Sequence, residues 1–277
     1  MFSGASIFNN ELTYYNEICK FDLSINSTAI EWKLLNTTNT LFNSKDGGSS
    51  VYNDHLYYFF GWYILNNKVI NVDSVARLDL KNTTQGWEIL NISPNCDPTY
   101  YQKNSFGYYS ERSNFYMFGG YNEEYATNSV INITLNTNSQ ILDCSIIFDN
   151  NISPTSRHGA TMIYISGGFY LFGGKNKDTL LSDLWFFALN TNEWSLIKAY
   201  GEYPSPRYMH AASSQGDFMV IIGGIGNNNL FLQDYFLFDN RGSSSEKIEI
   251  ASDTVQPPPI AGRCAMMNLP KSTMLAD

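Results

Sequence analysis

The sequence predicts an all-β fold made of repeated small sheets, and three observations predict it. A strand of aromatic and aliphatic residues runs into a glycine pair at three places, and a fourth copy keeps one of the two glycines. The first glycines are Gly61, Gly119, Gly173 and Gly223, so the copies recur at intervals of 58, 54 and 50 residues. A long, nearly fixed period is typical of a repeat architecture. Short strands and turns, with no helical period between them, fill each repeat.

The copy at 153–197 shows the strands of one repeat most clearly. Strand one, 157–164, is followed by a Ser-Gly-Gly turn, where glycine supplies a positive φ at little cost. Strands two, three and four are 169–172, 182–189 and 194–197, in that order. The sequence therefore predicts four short antiparallel strands for each repeat.

The same order of strands and turns divides the whole chain of 277 residues into one domain of sheets, or blades. Two half copies stand at the ends, and each has the strands that the other lacks. About five blade equivalents follow, either as a ring closed by both termini or as part of a larger ring. The predicted boundaries are half blade 1–35, blades 40–90, 100–147, 153–197 and 204–250, and half blade 257–277.

The repeat resembles the kelch repeat, with Arg-x-x-His, the glycine pair, a strand that ends in Asp or Asn, and a Trp. The resemblance covers nearly the whole chain. It implies a kelch-type β-propeller of four-stranded antiparallel blades, related to the galactose oxidase central-domain-like superfamily, in which six or seven blades are usual. The residues assigned to the structural repeat are Gly61, Gly119, Gly120, Gly173, Gly174, Gly223, Gly224, Trp32, Trp87 and Trp194.

The charge of the chain favours protein partners over nucleic acid or membrane. The formal net charge is −9, so the basic surface expected for nucleic acid or anionic lipid is absent from the sequence. The longest apolar runs, 56–65 and 218–225, are far shorter than the roughly 20 residues of a membrane helix. We therefore expect no membrane insertion by this segment.

The markers of cellular compartment point in two directions. Residues 1–17 show neither a basic n-region nor an apolar h-region, so no signal peptide is predicted and a cytoplasmic location is the default. Secretion stays open as an alternative, because there are six glycosylation sequons, about the number that this composition produces by chance. They begin at Asn26, Asn36, Asn82, Asn91, Asn132 and Asn151.

The four cysteines have no CxxC spacing. We expect buried free thiols, since a free cysteine behaves as a small apolar residue. A bridge between Cys96 and Cys144 is the alternative if the protein is secreted.

No catalytic residue, metal site or cofactor is predicted. The chain has only three histidines, and His158 and His210 share one repeat position, which favours a structural role. Galactose oxidase, which resembles this fold class, holds copper with two Tyr and two His, and no matching set is evident here. The glycine pairs do not precede helices, so they are not phosphate-binding loops.

Binding is expected in the loops that follow the glycine pairs, because loops on a rigid scaffold carry most binding residues. These loops are 5–15, 62–72, 121–128, 175–181 and 225–232. Exposed tyrosines suit protein interfaces, although they could instead pack between blades. The candidate binding residues are Tyr63, Tyr121, Glu123, Glu124, Tyr125, Lys175 and Lys177.

Arg157, Arg207 and Arg263 share the start of strand one. They could line a channel mouth and bind a carboxylate, because guanidinium groups suit planar anions. The alternative is hydrogen bonding to loop carbonyls inside each blade.

The sequence thus predicts a non-enzymatic scaffold that presents loops to a protein partner, within a larger assembly. An extracellular propeller that binds carbohydrate or a small ligand is the alternative. A metal-dependent oxidoreductase is the third, and three histidines make it the weakest.

Overall fold

The residues that the structure describes form β-strands joined by turns, without an α-helix, which confirms the predicted all-β class. The computed structural model describes residues 4–8, 11–15, 19–21, 32–38, 47–65, 68–72, 74–96, 105–109, 114–120, 127–136, 141–147 and 152–248. These residues form 23 strands and two single-turn 3-10 helices, Thr83–Gln85 and Asn227–Asn229. No helix in this part of the chain is long and apolar enough to cross a membrane.

The chain divides into two compact units. The first unit comprises residues 1–102 and 134–144, and the second comprises 103–133 and 145–277. Strands β1 to β10 are Gly4–Phe8, Glu11–Tyr15, Cys19–Phe21, Trp32–Leu34, Gly48–Tyr52, His55–Phe59, Trp62–Leu65, Lys68–Asn71, Val75–Asp79 and Trp87–Ile92. Strands β11 to β23 are Ser105–Tyr109, Asn114–Phe118, Val130–Asn136, Ile141–Ile147, Thr161–Ile165, Gly168–Lys175, Leu180–Ala188, Glu193–Ile197, Tyr200–Gly201, Ala211–Gln215, Phe218–Ile225, Phe231–Asp239 and Ser244–Lys247.

In the first unit, strands β5, β6, β9 and β10 lie side by side in this order, and each neighbouring pair is antiparallel. Its core consists of apolar side chains from β6, β9 and β10, and Trp87 is among them. Strand β6 is buried along almost its full length, as expected for an inner strand rich in aromatic residues.

Two segments predicted as binding loops are hairpins. In 5–15, strand β1 pairs antiparallel with β2, and in 62–72, strand β7 pairs antiparallel with β8. The prediction that these two segments are loops was wrong because apolar, aromatic and β-branched residues favour strands, and their binding role stays a prediction. Tyr63 therefore lies within a strand.

A disulfide follows the last strand of the first-unit sheet. The end of β10 pairs in parallel with β14, where Asn91 lies opposite Ile141. This pairing brings Cys96 and Cys144 together in a disulfide, with their Cα atoms 5.0 Å apart. The expectation of free thiols was wrong for these two residues, because spacing along the chain does not reveal which strands lie side by side.

The second unit contains two sheets of the same plan. Strands β15 to β18 form one antiparallel sheet, and β20 to β23 form the next, with β19 added in parallel beside β23. Each sheet has a register shift at its glycine pair, between Phe172 and Gly174 in one and between Ile222 and Gly224 in the other. The repeat seen in the sequence is therefore a repeat of local backbone geometry.

Aromatic side chains fill the core on both faces of the β15–β18 sheet. On one face Phe169 and Trp194 pack with Phe118, and on the other Phe172 packs with Phe236. Side chains along a strand alternate between faces, so β16 contributes to both layers. Its first seven residues are all buried, which explains why this strand shows no polar alternation.

Candidate functional site

Arg157, which begins strand one of its repeat, is a buried structural residue. Its guanidinium donates two hydrogen bonds to the Asp183 carboxylate, at 2.6 and 2.8 Å. It donates three more to the Gly173 carbonyl and to the carbonyl and hydroxyl oxygens of Thr155. These five bonds engage all five N–H donors of an arginine side chain. Arg157 is 0% exposed, so no donor is left for a ligand.

Arg207 repeats this arrangement in the next sheet. It bonds both oxygens of Asp234 at 2.5 and 2.9 Å, and it also bonds the Gly223 carbonyl and Ser205. It too is 0% exposed. Arg157 and Arg207 therefore form hydrogen bonds within their sheets and do not have donors available for a carboxylate ligand. Arg263 lies outside the described residues.

The Asp183 carboxylate is held in its charged form. Burial alone would raise its pKa, but the hydrogen bonds and positive charge of Arg157 outweigh burial, and the net pKa lies below the usual value. The indole of Trp185 donates a further hydrogen bond of 2.6 Å to the same carboxylate. The pair is thus ionised at neutral pH and fully hydrogen-bonded, as a buried ion pair must be to avoid a large desolvation cost.

The glycine pairs mark places where one repeat touches the backbone of the next. Gly174 donates a hydrogen bond of 2.8 Å to the carbonyl of Arg207. A Cβ added at Gly173 would lie 2.8 Å from the same oxygen, and one at Gly119 would lie 2.3 Å from the carbonyl of Arg157. Gly173 also has a φ of +62°, which residues with a Cβ adopt reluctantly. These glycines therefore serve close packing, and a phosphate site is not needed to explain them.

Replacing Gly173 with alanine is expected to lower the free energy of unfolding by about 2 kcal/mol or more. Gly216 is the matched control, because its φ of +58° is similar but a Cβ there meets nothing within 4 Å. Gly216→Ala should cost only the conformational strain of about 1 kcal/mol. Urea unfolding of both variants measures the difference, and equal losses would show that the close approach at Gly173 has no energetic importance.

The histidines at the repeat position lie along the same junction. The ring of His210 is buried, with Nε2 at 2.7 Å from the hydroxyl of Thr161 in the preceding sheet. The His158 ring stands edge-on to the ring of Tyr208. In the part of the chain that the structure describes, no group of three or more His, Cys, Asp or Glu side chains could hold a metal ion.

A cleft opens between the loops that follow the last two glycine pairs, and we call it the loop cleft. Its volume is about 530 Å³. It lies entirely in the second unit. Its lining residues are Lys175, Asp178, Thr179, Leu180, Pro206, Tyr208, Gly226, Asn227, Asn228 and Asn229.

Asparagine side chains and backbone turns fix both walls of the loop cleft. In the first loop, the Asn176 side-chain oxygen accepts hydrogen bonds from the backbone N–H groups of Asp178 and Thr179, at 3.0 and 2.7 Å. In the second, Asn228 and Asn229 adopt positive φ angles of 56° and 58°. Asparagine tolerates this left-handed conformation better than most residues. Both loops are therefore defined turns.

Two neighbouring sheets each contribute one backbone bridge to the loop cleft. Tyr208 and Ile225 exchange backbone hydrogen bonds of 3.0 and 2.9 Å, and His158 and Lys175 do the same, both at 2.9 Å. The Lys175 ammonium stands 5.5 Å from the centre of the Tyr208 ring, a cation–π arrangement. A positive charge thus lies on an aromatic platform at the base of the loop cleft.

Two exposed apolar side chains follow the Asn227–Asn229 wall of the loop cleft directly along the chain. Leu230 is 63% exposed and Phe231 is 53% exposed, directly after the turn at Asn229. Large apolar side chains that are adjacent and exposed at the edge of a concave surface are typical of interaction sites. The loop 225–232 was among the predicted binding loops. Leu230, Phe231 and Tyr208 were not among the candidate binding residues. The sequence signal for this site was a run of three asparagines, which indicates a turn, followed directly by Leu-Phe.

The other candidates have different positions. Lys175 lines the loop cleft and Lys177 is exposed on the same loop. The remaining predicted loop residues lie outside the described part of the chain, and these are Tyr121, Glu123, Glu124 and Tyr125.

Comparison with known proteins gives a family match over most of the chain. The family model for the KLHDC2/KLHL20/DRC7 Kelch-repeats domain matches residues 72–275. A probable serine/threonine-protein kinase of Dictyostelium discoideum is 32% identical over 42% of this chain. The leucine-zipper-like transcriptional regulator 1 homolog of Drosophila melanogaster is 25% identical over 83% of the chain. The aligned segments make up only 9% and 23% of those two relatives.

Proposed function

This chain belongs to the kelch-repeat family, and we propose that it is a non-enzymatic scaffold whose protein partner docks at the loop cleft. Kelch-repeat domains are typically interaction domains without catalytic activity. The observation that carries the proposal is the exposed pair Leu230 and Phe231, which follows the Asn227–Asn229 wall of the loop cleft directly along the chain. Apolar and aromatic anchors at the centre of an interface usually supply most of its binding energy.

The proposed scaffold works within a larger assembly. The chain spans less than a quarter of the length of the kinase and of the transcriptional regulator homolog that it resembles. Those two names describe different activities, so we infer that a segment of this kind contributes binding rather than chemistry. In this role the sheets hold the loops rigidly, and the loops decide which partner binds.

A second candidate function rests on the polar lining of the loop cleft. Tyr208 lies among the side chains of Thr179, Asp178 and Asn227–Asn229, which offer hydrogen-bond donors and acceptors beside an aromatic ring. This combination suits a carbohydrate or a small polar ligand. Binding to a glycan array that is lost in the Tyr208→Ala variant would favour this function over a protein partner.

Changing both apolar residues to serine is expected to weaken partner binding by at least tenfold. Truncating an anchor at an interface centre typically costs about 2 kcal/mol or more, whereas exposed side chains contribute little to folding. The affinity of the L230S/F231S variant for a partner co-purified with the intact protein measures the effect.

Leu196→Ser is the matched control for that measurement. Leu196 is 49% exposed in β18, outside the loop cleft, so its loss should leave affinity unchanged. Equal affinities for the double variant and the intact protein would overturn the proposed docking site.

A further inference from the structure

We propose that the loop cleft selects an extended peptide segment in which an acidic side chain lies about three residues from an apolar side chain. This inference rests on the proposed function and specifies the chemistry of the partner. Two features carry it: the placement of the positive charge and its separation from the apolar residues.

Every arginine whose side chain the structure describes forms an ion pair, whether buried, as in Arg157 and Arg207, or more exposed, as in Arg77 and Arg241. Exposed Lys81 is paired with Asp54 as well.

Lys175 and Lys177 differ from these paired cations. Within the described ranges, neither ammonium has a carboxylate within 4.0 Å, although Asp178 follows on the same loop. Within the described ranges, Lys68, Lys198 and Lys247 also have no carboxylate within 4.0 Å, and what distinguishes Lys175 is its place in the lining of the loop cleft on a chain of net charge −9. Charge complementarity therefore favours an anionic ligand group at this point.

The Tyr208 ring holds the Lys175 ammonium in a defined position, where it can donate hydrogen bonds to that anion. The ammonium lies 5.5 Å from the ring centre and is attracted by the ring face, but its charge is not neutralised. The Lys175 side chain is also partly buried. A carboxylate that reaches it forms an ion pair with less solvent screening than one on an open surface.

The strand pairing sets the distance to the apolar side. Tyr208 lies opposite Ile225, and Ile225 lies opposite Phe231, so two strand spacings separate the aromatic platform from Phe231. Two spacings amount to about 10 Å, and an extended chain advances about 3.3 Å per residue, so about three residues cover this distance. Leu230 and Phe231 would then receive the apolar side chain of the segment.

The asparagine turn supplies contacts to the peptide backbone. Asn227, Asn228 and Asn229 are all exposed at the wall of the loop cleft. A side-chain amide both donates and accepts hydrogen bonds, which suits the main chain of any extended segment. The cleft is open to solvent along its exposed walls, and we therefore assign the carboxylate to an internal Asp or Glu side chain.

The probes are fluorescein-labelled peptides of twelve residues with a Ser/Gly background, one Glu and one Leu, and both termini blocked. Fluorescence polarisation with the whole chain gives the affinity at each separation of Glu and Leu. We expect the tightest binding at separations of two to four residues, and an approximately fivefold loss when Gln replaces Glu. A matched peptide with a free C-terminus and no Glu tests the chain terminus as the source of the carboxylate.

Variants of the protein complete the test. Lys175→Glu should weaken the Glu peptide about tenfold and reverse the preference towards a Lys peptide. Lys177→Glu should also weaken the preference for the Glu peptide over the Lys peptide. This variant provides the test if Lys175→Glu does not fold. Lys198→Glu is the control, since Lys198 is an exposed lysine outside the loop cleft.

Three results would overturn the inference: equal affinity for Glu and Gln peptides, an unchanged preference in both lysine variants, or a requirement for a free C-terminus. The peptide experiment can fail while the proposed docking function stands. If the partner requires Leu230 and Phe231 but peptides show no charge preference, the docking site stands and the ligand chemistry fails. If neither holds, both proposals fail.

Discussion

Replacing Arg207 with methionine is expected to lower the free energy of unfolding by about 3–5 kcal/mol. Methionine keeps much of the apolar stem but removes all five hydrogen bonds. Asp234, whose side chain is only 23% exposed, would lose its cationic partner, and the Gly223 and Ser205 carbonyls would lose a donor. Without Arg207, no hydrogen bond compensates these polar groups for their removal from water. Breaking a buried ion pair therefore costs more free energy than the intact pair contributes to stability.

Arg241 provides the matched control in the same unit. It also pairs with an aspartate, Asp239, at 2.7 Å, but its own side chain is 61% exposed. Arg241→Met should therefore cost far less stability than Arg207→Met. Urea denaturation of R207M and R241M gives the two values, and equal losses would mean that burial does not set the importance of the repeat arginine.

Removing the Cys96–Cys144 bridge is expected to lower the free energy of unfolding by about 4 kcal/mol. The two cysteines are 48 residues apart, and a cross-link over a loop of this length restricts the unfolded chain strongly. The bridge also ties the segment after β10 to β14, next to the parallel pairing of Ile92 with Leu142. Its loss should therefore loosen that pairing first.

The measurement compares oxidised protein, reduced protein and the C96A/C144A double variant. Reduced protein and the double variant should unfold at similar urea concentrations, both lower than oxidised protein. Mass spectrometry after alkylation without reductant should find Cys96 and Cys144 protected. Full alkylation of both residues would contradict the bridge and restore the prediction of free thiols.

The sequence was sufficient for the repeat and for the class of fold. The glycine pairs are visible in the sequence because the backbone at these positions leaves no room for a Cβ. At Gly173 the reason is the close approach of the Arg207 carbonyl. The kelch resemblance is confirmed by the family match over residues 72–275. The blade boundaries and the binding role of the loop cleft stay predictions.

Features that depend on contacts between distant residues were not accessible from the sequence. Asp183 is 26 residues from Arg157, so the ion pair that occupies the arginine could not be identified from spacing. Tyr208 meets Lys175 only because two sheets lie side by side. The hairpin at 62–72 was missed for another reason, since the same aromatic residues suit a strand and an interface equally well.

The most direct test of the account places a photo-crosslinking amino acid, p-benzoylphenylalanine, at position 229 and, separately, at position 192. Asn229 lines the loop cleft, whereas Asn192 is an exposed residue in the turn between β17 and β18. We expect the protein partner to be crosslinked from position 229 and not from position 192. The partner crosslinked from position 192 alone would contradict the central claim that the loop cleft is the docking surface.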